Sequence, residues 1–185
     1  MALIDDIQSA RDLWKNGTIL TRVFIVVSTF LATGAIASLS DVVFAWKGFI
    51  LDGVNLYRNF IVQPLLQLAE IFSLEISSME VNFLILTGIF MSAIYRKVWV
   101  TSEIGMRVTS GTVMLIGFCF LAYLVGSSDG LQENISVLYV YLGICLIYPV
   151  LRGFSKHERI AYYLPIATAI TLNFIVAAIN SGLTR

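Results

Sequence analysis

The chain contains one literal match to a catalytic motif, the G-x-S-x-G pattern of a nucleophile elbow, at residues 126–130 (GSSDG). A nucleophile elbow needs a strand-to-helix turn and a histidine base within hydrogen-bond reach of the serine. His157 is the only histidine, and the topology derived from the charges places it across a hydrocarbon core about 30 Å thick. We therefore interpret the motif as a turn between two membrane spans.

Metal and thiol chemistry are not indicated by the sequence. One histidine cannot build a histidine-based metal cluster. Cys119 and Cys145 both lie in apolar runs, where thiols are more often inert packing residues than a disulfide. No phosphate loop, Cys/His metal set or paired-carboxylate pattern is present. We expect no cofactor, no metal site and no enzymatic activity.

Ionisable residues inside a bilayer mark functional sites by default, but the predicted spans have none near their centres. Those nearest to the spans fall at helix ends, where capping and snorkelling explain them: Glu80, Arg96, Glu103 and Arg152. This placement argues against a proton-coupled pump with a mid-depth carboxylate. A channel lined by small and polar groups stays open as an alternative.

Two amides are the better candidates for a role inside the membrane. Asn173 lies in the middle of the fifth predicted span, and Asn82 lies near the outer end of the second. An inter-helix hydrogen bond, worth roughly 0.6 kcal/mol, is favoured over a pore or ligand role for both. We therefore assign Asn173 to helix packing.

The composition requires a lipid environment for these residues. The chain is 58% hydrophobic and 13% charged, against about 45–50% and about 25% in a soluble domain. A globule of this size cannot hide such an excess of apolar side chains. The formal net charge is zero, so we expect no nucleic-acid partner.

The predicted fold is all-α: a polytopic membrane protein with about five transmembrane helices and an amphipathic helix on the outer surface. The count would be four if the fourth or the fifth of these helices were re-entrant. Its parts are an N-terminal amphipathic helix (1–18), a first span (19–40), an interfacial amphipathic segment (41–78) and a four-helix transmembrane region (79–185). Asn16-Gly17 is predicted to break the N-terminal helix. The last region contains spans near 81–95, 104–126, 135–151 and 160–179, which form two hairpins, each with a basic cytoplasmic loop. Ser77 and Glu80 form an S-x-x-E capping box before the second span.

Small residues on the first span predict close helix packing. Thr29, Thr33 and Ala37 recur every four residues and form a ridge that lets another helix approach. Together with Asn173 they are the predicted helix-packing residues.

The segment from Asp41 to Gln63 is predicted to form one helix, capped by Asp41 and too polar to span the membrane. Its polar residues fall within about 160° of a helical wheel, and its apolar residues cover the other side. Four aromatic residues of the apolar side are the predicted partner-binding anchors: Trp46, Phe49, Tyr57 and Phe60. Pro64 is expected to stop or kink this helix and to start another short one.

The distribution of basic residues predicts the orientation. With the N-terminus in the cytoplasm and five spans, nine basic residues fall inside: Arg11, Lys15, Arg22, Arg96, Lys97, Arg107, Arg152, Lys156 and Arg159. Three fall outside, namely Lys47, Arg58 and Arg185. This positive-inside bias places the N-terminus in the cytoplasm. We expect a multi-pass protein of a bacterial inner (plasma) membrane.

Three functional hypotheses follow. The first is a non-enzymatic multi-pass subunit, serving as a scaffold, sensor or anchor, whose partners are the lipid bilayer and either a second copy or other subunits of a membrane complex. The second is a small channel or pore-forming protein, as in an antiviral or growth-limiting effector. An intramembrane enzyme ranks last because the sequence lacks the required chemistry.

The topology is testable by cysteine labelling. Single cysteines at Lys97, Lys156, Asp52 and Asp129, in a background without Cys119 and Cys145, are treated in whole cells with an impermeant thiol reagent. We expect labelling at Asp52 and Asp129 only, because the basic loops stay in the cytoplasm. Labelling at Lys156 but not at Asp129 would contradict the orientation.

Overall fold

A computed structural model describes residues 8, 10–12, 14–101, 112, 116–117, 119, 121, 123 and 131–182. This part of the chain consists of helices and short connections, without a β-strand. The helices are α1 (Ile19–Phe44), α2 (Gly48–Tyr57), a π-helical turn (Arg58–Val62), α3 (Gln63–Ile71), α4 (Ser78–Thr101), α5 (Leu131–Leu151) and α6 (Lys156–Gly182). The predicted all-α class is confirmed.

Three of the helices are long and apolar enough to cross a membrane. They are α1 over its full length, α4 from Ser78 to Tyr95, and α6 from Glu158 to Gly182. Val137–Leu151 in α5 is a shorter apolar helix. Most of the predicted third span, the G-x-S-x-G motif and residues 1–7, 9 and 13 of the predicted N-terminal helix lie outside the described residues. Three of the five predicted spans are thus helices that can cross a bilayer.

The break predicted at Asn16-Gly17 separates the N-terminal helical residues from α1. Helix ends at Asn16, and the Thr18 side chain caps α1 by accepting a hydrogen bond from the Thr21 N–H at 3.3 Å. The Arg22 guanidinium donates to the carbonyl oxygens of Trp14 and Lys15, each at 2.9 Å. A basic side chain therefore satisfies the carbonyls at the end of the preceding helix.

The chain forms two compact units: one consists of Met1–Asp52 and Ile147–Arg185, and the other is Gly53–Leu146. In the first unit α1 packs along α6. Asn173 Nδ2 donates to the Thr33 carbonyl oxygen at 3.2 Å, and Asn180 Nδ2 donates to the Phe44 carbonyl oxygen at 3.0 Å. Residue numbers rise together on both helices, so α1 and α6 run parallel. If both cross the membrane, they cross it in the same direction, and an odd number of crossings lies between them.

Small residues account for several of the fully buried positions on α1 and α6. Ala32, Ala35 and Ala169 are completely buried, and Ser28 beside them is 4% exposed. Of the predicted ridge, Ala37 is buried while Thr29 and Thr33 are half-buried. Small side chains allow the two backbones to approach, which brings the Asn173 amide within reach of the Thr33 carbonyl.

In the second unit the π turn and α3 pack on α4. The ring of Tyr139 on α5 meets Phe83 on α4 edge-on, with a centroid distance of 5.1 Å. Helix α4 is most continuously buried from Glu80 to Phe90, and Thr87, Ile89 and Phe90, which point in three different directions, are each at most 5% exposed. It is therefore the central helix of this unit.

A second capping box, which was not among the sequence predictions, lies at the start of α6. The Ser155 N–H donates to Glu158 Oε2 at 2.8 Å, and the Glu158 N–H donates to Ser155 Oγ at 3.4 Å. The S-K-H-E sequence carries the same signal as the S-S-M-E sequence at residue 77. Unlike Glu80, Glu158 forms its hydrogen bonds at an exposed site.

The parallel contact of α1 and α6 generates a prediction about stability. Ala32→Leu or Ala35→Leu should lower the free energy of unfolding by about 1–3 kcal/mol, because added bulk overpacks a position that is completely buried. Val26→Leu, at a side chain that is 54% exposed, serves as the control. Thermal unfolding of the purified protein in detergent measures the difference. Equal stability of all three variants would show that the contact tolerates bulk.

Candidate functional site

The segment predicted as one helix from Asp41 to Gln63 is interrupted, and this prediction is wrong. Helix α1 continues to Phe44, Ala45 adopts a left-handed φ of 45°, and α2 begins only at Gly48. Asp41 lies in the last turns of α1 and is not an N-cap. The helical spacing of apolar residues continues across the break, so a helical wheel cannot predict that the helix is interrupted there.

Side chains satisfy the backbone groups that the break frees. The Trp46 N–H donates to Asp41 Oδ1 at 3.2 Å, and the Trp46 indole N–H donates to the Ala37 carbonyl at 2.8 Å. Asn180 accepts from the Lys47 N–H and donates to the Phe44 carbonyl, both at 3.0 Å. One amide of α6 therefore serves both sides of the break.

A π-helical turn carries the helix from α2 into α3. Pro64 lies in the first turn of α3, where it lacks an N–H and would clash with the carbonyl four residues earlier in a regular α-helix. The wider π turn from Arg58 to Val62 inserts one extra residue just before the proline. Pro64 thus starts a short helix, as the sequence predicts.

The helix that follows the break has two apolar faces. One face is buried and consists of Val54, Tyr57, Val62 and Ala69, with a five-residue step across the π turn. The other face is exposed, and we call it the outer stripe: Leu56, Phe60, Leu65, Leu68 and Phe72. It shows the same five-residue step, so the extra residue keeps both faces in line on either side of the turn. An exposed polar stripe completes the circumference with Asn55, Asn59, Gln63, Gln67 and Glu70.

The structure places the four predicted anchor residues in two different environments. Trp46 and Tyr57 are each 3% exposed and lie inside the chain. Phe49 and Phe60 are 67% and 71% exposed. Only Phe49 and Phe60 present their rings to the surroundings.

Tyr57 ties α2 to α4. Its hydroxyl donates to Asn82 Oδ1 at 3.0 Å, and Asn82 Nδ2 donates to the Ser78 carbonyl at 2.8 Å. Burial raises the pKa of Tyr57 above its ordinary value, so the hydroxyl stays a donor well into alkaline solution. The sequence singled out both residues, but nothing in their spacing predicted that they meet.

The predicted capping box at the start of α4 is confirmed. The Ser77 N–H donates to Glu80 Oε2 at 2.6 Å, and the Glu80 N–H donates to Ser77 Oγ at 3.2 Å. Glu80 is nevertheless 1% exposed, and its second oxygen, Oε1, has no hydrogen-bond partner. The buried hydroxyl of Thr87 also has none. Nothing in the sequence pattern around Thr87 distinguishes it from the other threonines of the predicted spans.

Comparison with known proteins gives no relative: the chain matches no family model, no curated protein and no solved structure. Within the described residues, no three His, Cys, Asp or Glu side chains are grouped so that they could hold a metal ion.

The hydrogen bond between Tyr57 and Asn82 is testable by its removal. Tyr57→Phe should lower the free energy of unfolding by about 1–2 kcal/mol, because the buried Asn82 Oδ1 loses its tyrosine donor. Tyr139→Phe is the matched control, since it removes a hydroxyl from a residue that is 53% exposed. Chemical unfolding in detergent measures both. A loss that is no greater for Tyr57→Phe than for the control would contradict the role of the bond.

Proposed function

We propose that the protein is a non-enzymatic multi-pass subunit of the bacterial inner membrane, with five spans and its N-terminus in the cytoplasm, which associates through the outer stripe. The supporting observation is that Leu56, Phe60 and Leu65 are between 40% and 71% exposed, although the opposite face of the same helix is packed on the protein. A contiguous exposed apolar surface marks an interaction site.

Apolar surfaces on two other helices support a membrane location. Val26 and Phe30 on α1 are each 54% exposed, and Phe174 on α6 is 67% exposed. Such side chains fit acyl chains, which remove the cost of leaving them in water. The parallel arrangement of α1 and α6 agrees with the five-span topology and equally with one of three spans.

The charge of the α2–α3 helix favours a protein occupant for the outer stripe over anionic lipid. From Gly48 to Phe72 the only basic residue is Arg58, against the acidic Asp52 and Glu70. Each basic residue near an anionic membrane surface contributes about 1 kcal/mol, and helices held there carry several. This helix has no such excess, and neutral amides border its apolar stripe, as at the rim of a protein interface.

The occupant that we assign is a second copy of the chain. Two outer stripes can pack against each other because both are apolar and uncharged at their centres. In this proposal Phe49 and Phe60 supply large ring surfaces, whereas Trp46 and Tyr57 shape the helix from inside. The anchor role predicted for four aromatic residues is thus proposed for two.

The proposal predicts a difference between two faces of one helix. Phe60→Ala should weaken self-association about 30-fold, which corresponds to about 2 kcal/mol for an anchor residue. Asn59→Ala, at the neighbouring exposed position of the polar stripe, should leave it unchanged. Analytical ultracentrifugation in detergent at graded protein-to-detergent ratios gives the dissociation constants.

Cysteine cross-linking in native membranes provides the second measurement. A cysteine at Phe60 should form disulfide-linked dimers with an oxidant, and one at Asn59 should not. If both variants associate like the original chain and neither cysteine cross-links, the outer stripe faces lipid and the docking proposal is wrong.

A further inference from the structure

Two polar atoms on the central helix lack a partner although they are shielded from solvent. They are Glu80 Oε1, in a residue that is 1% exposed, and Thr87 Oγ1, in a residue with no exposed surface. An unsatisfied polar group buried in an apolar surrounding costs about 1–3 kcal/mol, and a charged one costs more. A feature of this cost calls for an explanation beyond folding.

Capping accounts for only one oxygen of Glu80. Oε2 accepts the Ser77 N–H, which is all that the capping box requires. The other capping box performs the same task with Glu158, whose hydrogen bonds lie at an exposed site. A cap therefore works without burial of the carboxylate, and capping alone does not explain the burial of Glu80.

The hydroxyl of Thr87 departs from that of other threonines in these helices. Thr33 and Thr171 each donate to the carbonyl four residues earlier, at 2.7 Å and 2.9 Å. This back-bond is the usual way to satisfy a threonine within a helix. Thr87 does not form it, so its hydroxyl can both donate to and accept from another molecule.

Glu80 and Thr87 share one face of α4. Seven residues are nearly two full turns, so the two positions lie within about 20° of each other on the helical wheel and about 10 Å apart along the axis. Met91 continues this face one turn further, and the Tyr141 hydroxyl donates to its sulfur at 3.8 Å. A thioether is a weak acceptor, so the Tyr141 hydroxyl is the third oxygen-bearing group along this face, after Glu80 and Thr87.

We propose that this face of α4 conducts protons between the two sides of the membrane. The Glu80 carboxylate accepts a proton from water at the start of α4 and becomes a carboxylic acid. It then releases the proton to a short file of water molecules that Thr87 orients by donating and accepting hydrogen bonds. The carboxylate is regenerated in each cycle, so the step transfers one proton and consumes nothing.

This face of α4 carries few oxygen atoms, which suits the transfer of a proton better than the binding of a metal cation. Calcium and magnesium take about six or more oxygen ligands, whereas a proton needs one acceptor at a time. Along the described face the oxygen-bearing side chains are separated by about two helical turns, too far to surround one metal ion. This activity is independent of the docking surface, because Glu80 and Thr87 do not belong to the outer stripe.

The experiment uses the full-length protein in liposomes loaded with a pH-sensitive dye, with a potassium gradient and valinomycin as the driving force. Glu80→Gln keeps the cap, since glutamine also serves in a capping box, but removes the ionisable oxygen. Thr87→Val keeps the shape and removes the hydroxyl. Glu158→Gln and Thr171→Val make the same two changes at an exposed cap and an exposed threonine.

We expect proton uptake above that of protein-free liposomes for the original chain and for both control variants. Glu80→Gln and Thr87→Val should each slow uptake about tenfold, the effect of a barrier raised by roughly 1.4 kcal/mol. Thermal unfolding of all four variants verifies that they are folded.

Three results would overturn the proposal. The first is uptake by the original chain equal to that of protein-free liposomes. The second is an equal loss in Glu80→Gln and Glu158→Gln, which would attribute the effect to the caps. The third is sodium or potassium flux with the same dependence on Glu80 and Thr87, which would replace the proton by a metal cation. None of these results changes the self-association expected from the outer stripe.

Discussion

Lipid offers no hydrogen-bond partner, so each backbone group freed where a helix breaks must be satisfied by the protein itself. The break at residues 45–47 is the clearest case. Asp41 accepts the Trp46 N–H, and Asn180 serves both the Phe44 carbonyl and the Lys47 N–H. Since Asn180 belongs to α6, the turn after α1 can form only when the two helices lie side by side. The contact between α1 and α6 and the turn that leads into α2 therefore stabilise each other.

The same constraint shapes the helix that follows. Proline cannot donate a hydrogen bond, and a regular α-helix across Pro64 would also clash with its own backbone. The π turn accommodates the proline and adds one residue, which keeps a buried face and the outer stripe aligned through the turn. A single helix can thus pack on its own protein while it presents Phe60 to a neighbour, with amides between the two faces. This geometry is the basis of the proposed self-association.

In the central helix α4, two buried polar side-chain atoms have no hydrogen-bond partner. Among the described residues, α4 is the helix where this occurs. Asn82 forms hydrogen bonds with Tyr57 and Ser78, while Glu80 Oε1 and Thr87 Oγ1 have no partner. Partly satisfied polar groups in a buried helix are unfavourable for folding alone. Their alignment on one face of a helix that can cross the membrane is the physical basis of the proposed proton path.

The sequence by itself determined the features that depend on local chemistry. The apolar runs predicted the helices, S-x-x-E predicted the cap at Ser77, and Asn16-Gly17 and Pro64 predicted two interruptions. It did not predict the break at Ala45, because the apolar period continues through it, nor the division of Trp46, Phe49, Tyr57 and Phe60 into buried and exposed pairs. Periodicity specifies that two residues share a helix face, but not which of several neighbours covers it. The pairing of Tyr57 with Asn82, of Asn180 with the break, and the isolation of Thr87 were decided only by tertiary packing, because each depends on residues or surroundings far away in sequence.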